Sequence, residues 1–237
     1  MSIQFSEATN NSGIVQQTRK FMRVDSSQWP TANIVNSSNN WHDFVVGYAI
    51  GADRRFQWDD TNHTKLPEGT TALTINQSDY SFLTDEQGNA ILNLLGVSIL
   101  RNGKYEELIP VDRSQVNTAN FGIDAGDPTS YDKIADNIIR LDKLPPATVS
   151  AGLKFYFQRV PSYFTASDTT KQPGVPPLLH RGFVIAGAYD GALTLGLANL
   201  QPLSVEFEKE QKKMIDYFDN RQTDEHPRLI VIPRNYE

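Results

Sequence analysis

Cysteine does not occur among the 237 residues of this chain. Its absence excludes a disulfide scaffold, a thiol nucleophile and any zinc site with Cys ligands. An excess of basic charge is also lacking, because 22 Lys and Arg residues stand against 28 Asp and Glu residues, which gives a net charge of -6. No long block of Lys and Arg interrupts the sequence, so extended wrapping of nucleic acid is disfavoured.

Targeting, membrane and catalytic signals are missing as well. The opening residues MSIQFSE contain neither the basic region nor the apolar region of a secretory signal, so we expect a chain made in the cytoplasm. The longest nearly uncharged apolar stretch, residues 182–200, is interrupted by Asp190 and several glycines, so we expect no membrane span. The sequence has no Gly-x-Ser-x-Gly elbow, no Walker loop and no Gly-x-Gly-x-x-Gly fingerprint.

Two amphipathic helices are predicted near the N-terminus. Residues 13–21 place apolar side chains at helical spacing behind Ser12, a candidate N-cap. A second helix is predicted to start at a Ser37 or Ser38 cap and to end near Gly51. Its apolar residues, which recur at i, i+3, i+4 and i+7, are Trp41, Phe44, Val45 and Tyr48.

The middle of the chain has the pattern of β structure. From Phe56 the hydrophobic period changes from 3.6 towards 2 and turn residues become frequent. The dipeptide Asn102-Gly103 supplies the two positive φ angles of a type I′ turn, so a two-residue hairpin is predicted there. Residues 153–158 alternate apolar with more polar side chains, as in a strand with one buried face. We therefore predict an antiparallel sheet or small sandwich over residues 56–160.

The C-terminal third is predicted to be helical. Residues 161–177 hold four prolines among small polar residues, which excludes regular structure and marks a boundary. Residues 178–200 predict a helix, and the break at Gln201-Pro202 starts a second helix up to Asn220, so the two form an αα-hairpin. Small residues on the first helix allow close approach of another backbone, and this predicted helix-packing interface consists of Gly187, Ala188, Gly191 and Ala192.

These elements together predict an α+β protein in which an antiparallel β lobe is inserted into a small helical-bundle lobe. We expect residues 1–55 to supply the N-terminal segment and the first helices of the helical lobe, and residues 56–160 to form the β lobe. Residues 161–220 would then contain the Pro-rich linker and the αα-hairpin that completes the helical lobe. The remaining residues, 221–237, are predicted to form an extended C-terminal tail.

The tail contains a run of consecutive β-forming residues, which avoid exposure to water unless they pair with something. We therefore predict a partner-binding tail made of Arg228, Leu229, Ile230, Val231, Ile232 and Arg234. The alternative is that this run folds back onto the β lobe of its own chain.

Candidate metal ligands are few. The only compact cluster is Asp59, Asp60 and His63, whose oxygen and imidazole groups suit a divalent ion. The same run is typical of turns, in which Asp and Asn side chains bond to nearby backbone, and we favour that interpretation. The other histidines, His42, His180 and His226, have no partner at ligand spacing. We expect no metal, no cofactor and no catalytic residue.

Aromatic residues are concentrated in and after the predicted β lobe, where two uses compete. They could form a sugar-binding platform, but a β lobe buries aromatic side chains in any case, so we favour core packing. The residues concerned are Trp58, Tyr80, Phe82, Tyr105, Phe155, Tyr156, Phe157, Tyr163 and Phe164.

Several segments resemble, in the same order, parts of the adaptor proteins of tailed bacteriophages. In the β region they are residues 56–67 (FQWDDTNHTKLP), 78–82 (SDYSF) and 107–112 (ELIPVD). In the C-terminal half they are residues 152–164 (GLKFYFQRVPSYF), 168–177 (DTTKQPGVPP), 179–181 (LHR) with 186–192 (AGAYDGA), and 217–221 (YFDNR). The resemblance covers about residues 37–228, and its specificity comes from the order of the segments, because none of them is a catalytic signature.

The resemblance implies a structural virion protein, a head-to-tail connector that forms a ring, generally of twelve copies, beneath the portal and around the DNA channel. It implies the portal protein and a downstream neck or tail protein as partners, and genomic DNA that passes without sequence-specific binding. The place implied is the neck of the virion, after synthesis in the host cytoplasm. No enzymatic activity and no motif of functional residues come with the resemblance. A head-closure or tail-terminator neck protein is the neighbouring alternative.

Two functions of other classes stay open. A metal-assisted glycan hydrolase would need Asp59, Asp60 and His63 to converge with another acid. A carbohydrate-binding β module would need an exposed row of aromatic residues on the β lobe.

Overall fold

The computed structural model describes residues 2–52, 67–85, 87–112 and 120–220. Over these ranges the chain is an α+β protein in which two four-stranded sheets lie, in chain order, between N-terminal and C-terminal helices, as the sequence predicts. The helices are α1 (Ile14–Met22), α2 (Thr31–Ala52), α3 (His180–Leu195), which follows a 3₁₀ turn at Pro177–Leu179, and α4 (Leu200–Asp219). The predicted C-terminal tail lies outside the described residues.

Two sheets form the β unit, to which residues 67–163 of the described ranges and residues 173–176 belong. Its strands are β1 (Glu68–Leu73), β2 (Asp79–Ser81), β3 (Ile91–Arg101), β4 (Lys104–Glu107), β5 (Ile109–Pro110), β6 (Ser130–Ala135), β7 (Ile138–Leu141) and β8 (Val149–Arg159). The first sheet has the order β1-β8-β3-β4 and the second β2-β7-β6-β5. All pairs are antiparallel except the short β5–β6 pair, which is parallel and was not predicted.

Side chains from both sheets meet in one apolar core, which makes the β unit a small sandwich. Leu153, Phe155 and Phe157 of β8 are buried, as their alternation predicts. The ring centroid of Phe82, which follows β2, lies 4.2 Å from that of Phe155. Burial of apolar surface contributes about 25 cal/mol per Å², so this core is the main stabilising element of the unit.

The predicted hairpin turn is confirmed. Strands β3 and β4 pair up to Arg101 and Lys104, and the two residues between them, Asn102 and Gly103, have φ angles of 48° and 77°. Both angles are positive, as a type I′ turn requires, and its twist matches that of the flanking strands.

The second compact unit is helical and discontinuous in sequence, because it draws on residues 2–52, 164–172 and 177–220. Helix α3 is central, since it packs against α1, α2 and α4. A helix covered on several sides has no wide polar face. Accordingly, residues 182–188 of α3 are all buried.

The N-terminal residues are built into the helical unit. Phe5 is fully buried and its ring stacks on Phe164, with centroids 4.6 Å apart. The Phe5 N–H donates to the Lys171 carbonyl over 2.7 Å, and the Ser6 N–H donates to the Thr169 carbonyl over 3.0 Å. The segment before α1 is thus tied to residues 164–172 by backbone as well as by ring contacts.

Several predicted helix ends were wrong. Helix α2 begins at Thr31, and Ser37 and Ser38 are buried inside it and do not cap it. Pro30 suits the start of a helix, and the buried Ile34 extends the apolar stripe about two turns before Trp41, where the sequence analysis began it. The N-cap of α1 is Gly13, without a side-chain cap from Ser12.

The C-terminal helices also differ at their ends. Helix α3 stops at Leu195 because Gly196, with φ of 62°, forms a left-handed C-cap. Helix α4 starts at Leu200 and includes Pro202 in its first turn, where the missing N–H costs little.

Candidate functional site: an aromatic cleft in the helical unit

The candidate metal ligands cannot be compared with the structure. Asp59, Asp60 and His63 lie outside the described residues, as does His226. Within residues 2–52, 67–85, 87–112 and 120–220, no group of three acidic, His or Cys side chains could hold a metal ion. Over the same ranges, no helix combines the length and the apolarity that a membrane span needs.

Two of the histidines that the sequence analysis found without a partner at metal-ligand spacing are buried in the helical unit. His42 of α2 lies between two aromatic rings, stacked on Phe164 and edge-on to Phe183. His180, at the start of α3, accepts a hydrogen bond at Nδ1 from the backbone N–H of Ile3 over 3.0 Å. This bond requires an unprotonated Nδ1, so His180 helps to hold the N-terminal segment in place.

The predicted helix-packing residues on α3 are all buried against other parts of the same unit. A Cβ added at Gly187 would lie 3.3 Å from Cγ2 of Thr18 in α1. One added at Gly191 would lie 2.6 Å from Sδ of Met22 and 3.0 Å from Trp29. The other two members of the set, Ala188 and Ala192, are both fully buried.

The aromatic residues of the β region divide into core and surface positions. Tyr80, Phe82, Phe155 and Phe157 are buried below one tenth exposure in the β unit, and Phe164 is buried to the same degree in the helical unit. Tyr105 is exposed and Tyr156 half-buried, and both rings lie within 6 Å of the Lys154 ammonium group. Trp58 lies outside the described residues.

A cleft of about 260 Å³ opens between α2, α3 and α4 of the helical unit. We call it the aromatic cleft. Four rings line it in a connected row: Phe44 is 5.3 Å from Trp41, Trp41 is 5.4 Å from Phe207, and Phe207 stacks on Tyr189 at 5.0 Å. Phe44 remains 39% exposed, so part of this apolar surface faces solvent.

Polar groups stand at the rim of the aromatic cleft. Asp190 of α3 is exposed, and its carboxylate accepts a short hydrogen bond from the Ser37 hydroxyl on α2. The same Ser37 oxygen lies 3.0 Å from the Asn33 carbonyl, so its single proton is shared between the Asp190 carboxylate and this carbonyl. Asn40 and Gln211 complete the rim with amide groups. The aromatic cleft can therefore accept an apolar group and a cation next to each other.

Ion pairs between α3 and α4 hold the Phe207 wall in place. Arg181 contacts Glu206 at 2.9 Å and Glu210 at 3.5 Å. Lys213 contacts Glu210 at 3.5 Å from the other side. Lys209, and to a lesser extent Arg181, hold the pKa of Glu206 below its ordinary value. Since α4 carries both these acids and Phe207, the network sets where that ring stands.

The sequence analysis did not identify the aromatic cleft. Its walls come from residues 37–44, 186–190 and 207–211, and no local pattern connects these three segments. A weak signal was present, because Tyr189 and Asp190 interrupt the small-residue run of α3. The predicted partner-binding tail lies outside the described residues and stays a prediction.

No family model matches the chain, and no curated protein matches it significantly.

Proposed function

We propose that this chain is a structural virion protein, an adaptor that joins the portal to the tail of a tailed bacteriophage. Copies of the chain form a ring, of twelve subunits, around the channel through which DNA passes. The ring stands in the virion neck and contacts the portal on one side and a downstream neck or tail protein on the other. The chain itself is made in the host cytoplasm. It carries no catalytic role and no resident cofactor.

The observation that carries this proposal is the order of parts in the fold. The helical unit is assembled from three chain segments, and the β unit comes between the first and the last of them. The segments that resemble the adaptor family follow the same order along the chain. Residues 152–159 form most of β8, residues 186–192 lie in α3, and residues 217–219 end α4.

Exposed apolar side chains give further support. In the β unit Leu83, Ile109 and Ile123 are each more than 60% exposed, and in the helical unit Leu193 is 55% exposed. A subunit that is covered by neighbours has a reason to keep such side chains on its surface. The net charge of -6 also suits a channel wall past which DNA phosphates slide without binding.

The test is the mass of the purified chain, alone and mixed with the portal protein of the same virion, by native mass spectrometry or light scattering. We expect a ring of twelve copies that forms with the portal or joins it. A chain that stays monomeric and leaves the portal unbound would contradict the proposal. A hexamer that does not bind the portal directly would favour the head-closure or tail-terminator alternative.

Two direct measurements distinguish the proposed adaptor from the glycan hydrolase and from the carbohydrate-binding module. Replacement of Asp59, Asp60 and His63 together by Ala should leave ring formation intact, because no step of assembly is assigned to them. Stoichiometric metal in the purified chain, or hydrolysis of glycan that this change abolishes, would favour the hydrolase. Saturable binding of glycan that is lost on substitution of Tyr105 and Tyr156 would favour the carbohydrate-binding module.

A further inference from the structure

The aromatic cleft combines the two groups that a guanidinium prefers. Arginine stacks on aromatic faces and forms paired hydrogen bonds with a carboxylate. The rings of Phe44, Tyr189 and Phe207 are all partly exposed, and they line the same cleft as the Asp190 carboxylate. An arginine side chain that enters between them can contact a ring and the carboxylate at once.

The charge of Asp190 is not compensated inside the described part of the chain. There, no Lys, Arg or His lies within ion-pair distance of its carboxylate, whereas Glu206 and Glu210 on the facing helix both pair with Arg181. The Ser37 hydroxyl orients the Asp190 carboxylate but brings no positive charge. A cation supplied from elsewhere would therefore complete the site.

The C-terminal tail has the matching chemistry. Arg228 and Arg234 flank the apolar run of residues 229–232, so basic groups and apolar side chains alternate over a short segment. The tail follows directly on α4, which forms one wall of the aromatic cleft and ends at Asp219. The eight residue steps from Asn220 to Arg228 span at most about 27 Å, so the tail is long enough for residues 228–234 to lie well away from the end of α4.

A tail that enters the cleft of another copy makes a heterologous contact, in which two different surfaces of the same chain meet. Each subunit then offers one tail and one cleft, and contacts of this heterologous type close into rings when the rotation between copies allows it. Such a contact is what a ring of identical subunits needs.

We propose that residues 228–234 of one copy dock in the aromatic cleft of the next copy, with an arginine of this segment paired to Asp190 and stacked on the cleft rings. The inference rests on the proposed ring function and deepens it, because it names the contact that links neighbouring subunits.

A charge swap tests this contact in the full chain. Asp190→Arg, and separately Arg228→Glu with Arg234→Glu, should each raise the concentration needed for ring formation roughly tenfold or more, with or without the portal. Asp216→Arg, the same charge change on α4 away from the cleft lining, is the matched control and should assemble like the parent. The two defective variants, when mixed, should regain assembly as mixed rings, since each acidic tail meets a basic cleft and each basic tail an acidic cleft.

Other occupants of the aromatic cleft predict different results. If the tail occupies the cleft of its own chain, ring formation returns only when Asp190→Arg and the two tail substitutions are combined in one chain. A mixture of the two separate variants then does not assemble. If the portal receives the tail, the tail variant loses portal binding while Asp190→Arg keeps it. Either result would overturn the proposal, as would assembly of both variants at the parent concentration.

A second measurement does not depend on ring formation. A fluorescent peptide of residues 226–237, titrated into the full chain, should bind saturably, and Asp190→Arg should weaken it roughly tenfold while Asp216→Arg leaves it unchanged. Absence of binding, or binding that Asp190→Arg does not alter, overturns the inference. Failure of the proposed function gives a different result, because the parent chain itself would then be monomeric and would not bind the portal protein.

Discussion

Small residues on α3 determine how closely its neighbours approach. At Gly191 the side chains of Met22 and Trp29 occupy the space that a Cβ would need. Gly47, on the exposed face of α2, has nothing within 4 Å of its Cβ position. The two glycines share a helical backbone and differ in packing, which makes them a matched pair.

Replacement of Gly191 by Leu should lower the free energy of unfolding by about 1–3 kcal/mol, because the larger side chain forces Met22 and Trp29 away from α3. Gly47→Leu should leave stability unchanged or raise it slightly, since Leu has the higher helix propensity. Chemical denaturation of both variants measures these two changes in the free energy of unfolding. Equal stabilities would show that the α3 surface tolerates bulk.

Glu7 is an acidic residue with several donors around it. The Ser12 hydroxyl donates to its carboxylate over 2.7 Å, and backbone N–H groups of Thr9, Asn10 and Ser12 also donate. These hydrogen bonds, with that of the Ser12 hydroxyl the largest, hold the pKa of Glu7 below its ordinary value. The loop that leads into α1 is thereby ordered around one negative charge.

A lowered pKa in the folded state links stability to pH in one direction. The contribution of Glu7 is complete above the ordinary Glu value of about 4.3 and is lost as pH falls through the lower folded-state pKa. We therefore expect Glu7→Gln to lower the melting temperature at pH 7. The effect of this substitution should become small as the pH approaches 3. Thermal scans from pH 7 to pH 3 measure this, with Glu208→Gln as an exposed control. A loss from Glu7→Gln that is the same at every pH would be inconsistent with the assignment.

At the scale of elements, the α3–α4 pair depends on Glu210, which is only 7% exposed although it carries a charge. Arg181 and Lys213 approach it from α3 and from the next turn of α4. A buried carboxylate that loses a partner is destabilised by incomplete compensation of its charge.

Arg181→Met keeps much of the apolar stem of the side chain but removes the guanidinium. We expect a loss of about 1–2 kcal/mol, discounted because Arg181 is half exposed, and a smaller loss at high salt. Lys212→Met on the exposed face of α4 serves as the control and should change stability little. Urea titrations at two salt concentrations measure both variants, and equal losses for Arg181→Met and Lys212→Met would refute the role of the network.

Elements with a strong local signal could be predicted from the sequence, and elements set by tertiary packing could not. Asn102 and Gly103 specify their turn by backbone preference alone, so the hairpin was found. The start of α2 was missed because residues 31–36 mix polar and apolar side chains without a clear helical period, and burial of Ile34 against the rest of the unit extends the helix there. The sequence analysis did not single out β6 within the predicted β lobe, because its exposed C-terminal residues break the alternation.

The aromatic cleft could not be predicted for a related reason. Phe44 and Trp41 belong to one predicted stripe, and nothing in that stripe shows that Phe44 stays partly exposed. The approach of Tyr189 and Phe207, from a segment more than a hundred residues later in the chain, creates the cleft. Whether a cleft forms beside Phe44 therefore depends on how α3 and α4 pack against α2.

At the scale of the whole molecule, each unit has a core of its own. Among its described residues, the β unit buries a cluster of fourteen apolar side chains that all lie between Leu73 and Phe157 in the sequence. The helical unit needs both ends of the chain, because α1 and α2 have their main partner in α3.

Fragments should reflect this difference. Residues 67–176 alone should fold with β-type circular dichroism and a cooperative thermal transition, because this fragment contains the whole apolar cluster that the described residues of the sandwich form. Residues 1–163 should show far less helix than α1 and α2 have in the full chain, because their packing partners are missing. A disordered 67–176 fragment, or full helicity in 1–163, would contradict the independence of the two cores.

The tie between Phe5 and residues 164–172 has a consequence for synthesis on the ribosome. The N-terminal segment emerges first, yet the carbonyl groups of Thr169 and Lys171 that it pairs with are translated more than a hundred residues later. At elongation rates of about 5–20 residues per second, the delay is on the order of ten seconds. During this interval α1 and α2 expose the apolar side chains that α3 will cover. A nascent chain of this kind is a natural client for chaperones that bind at the ribosomal exit tunnel.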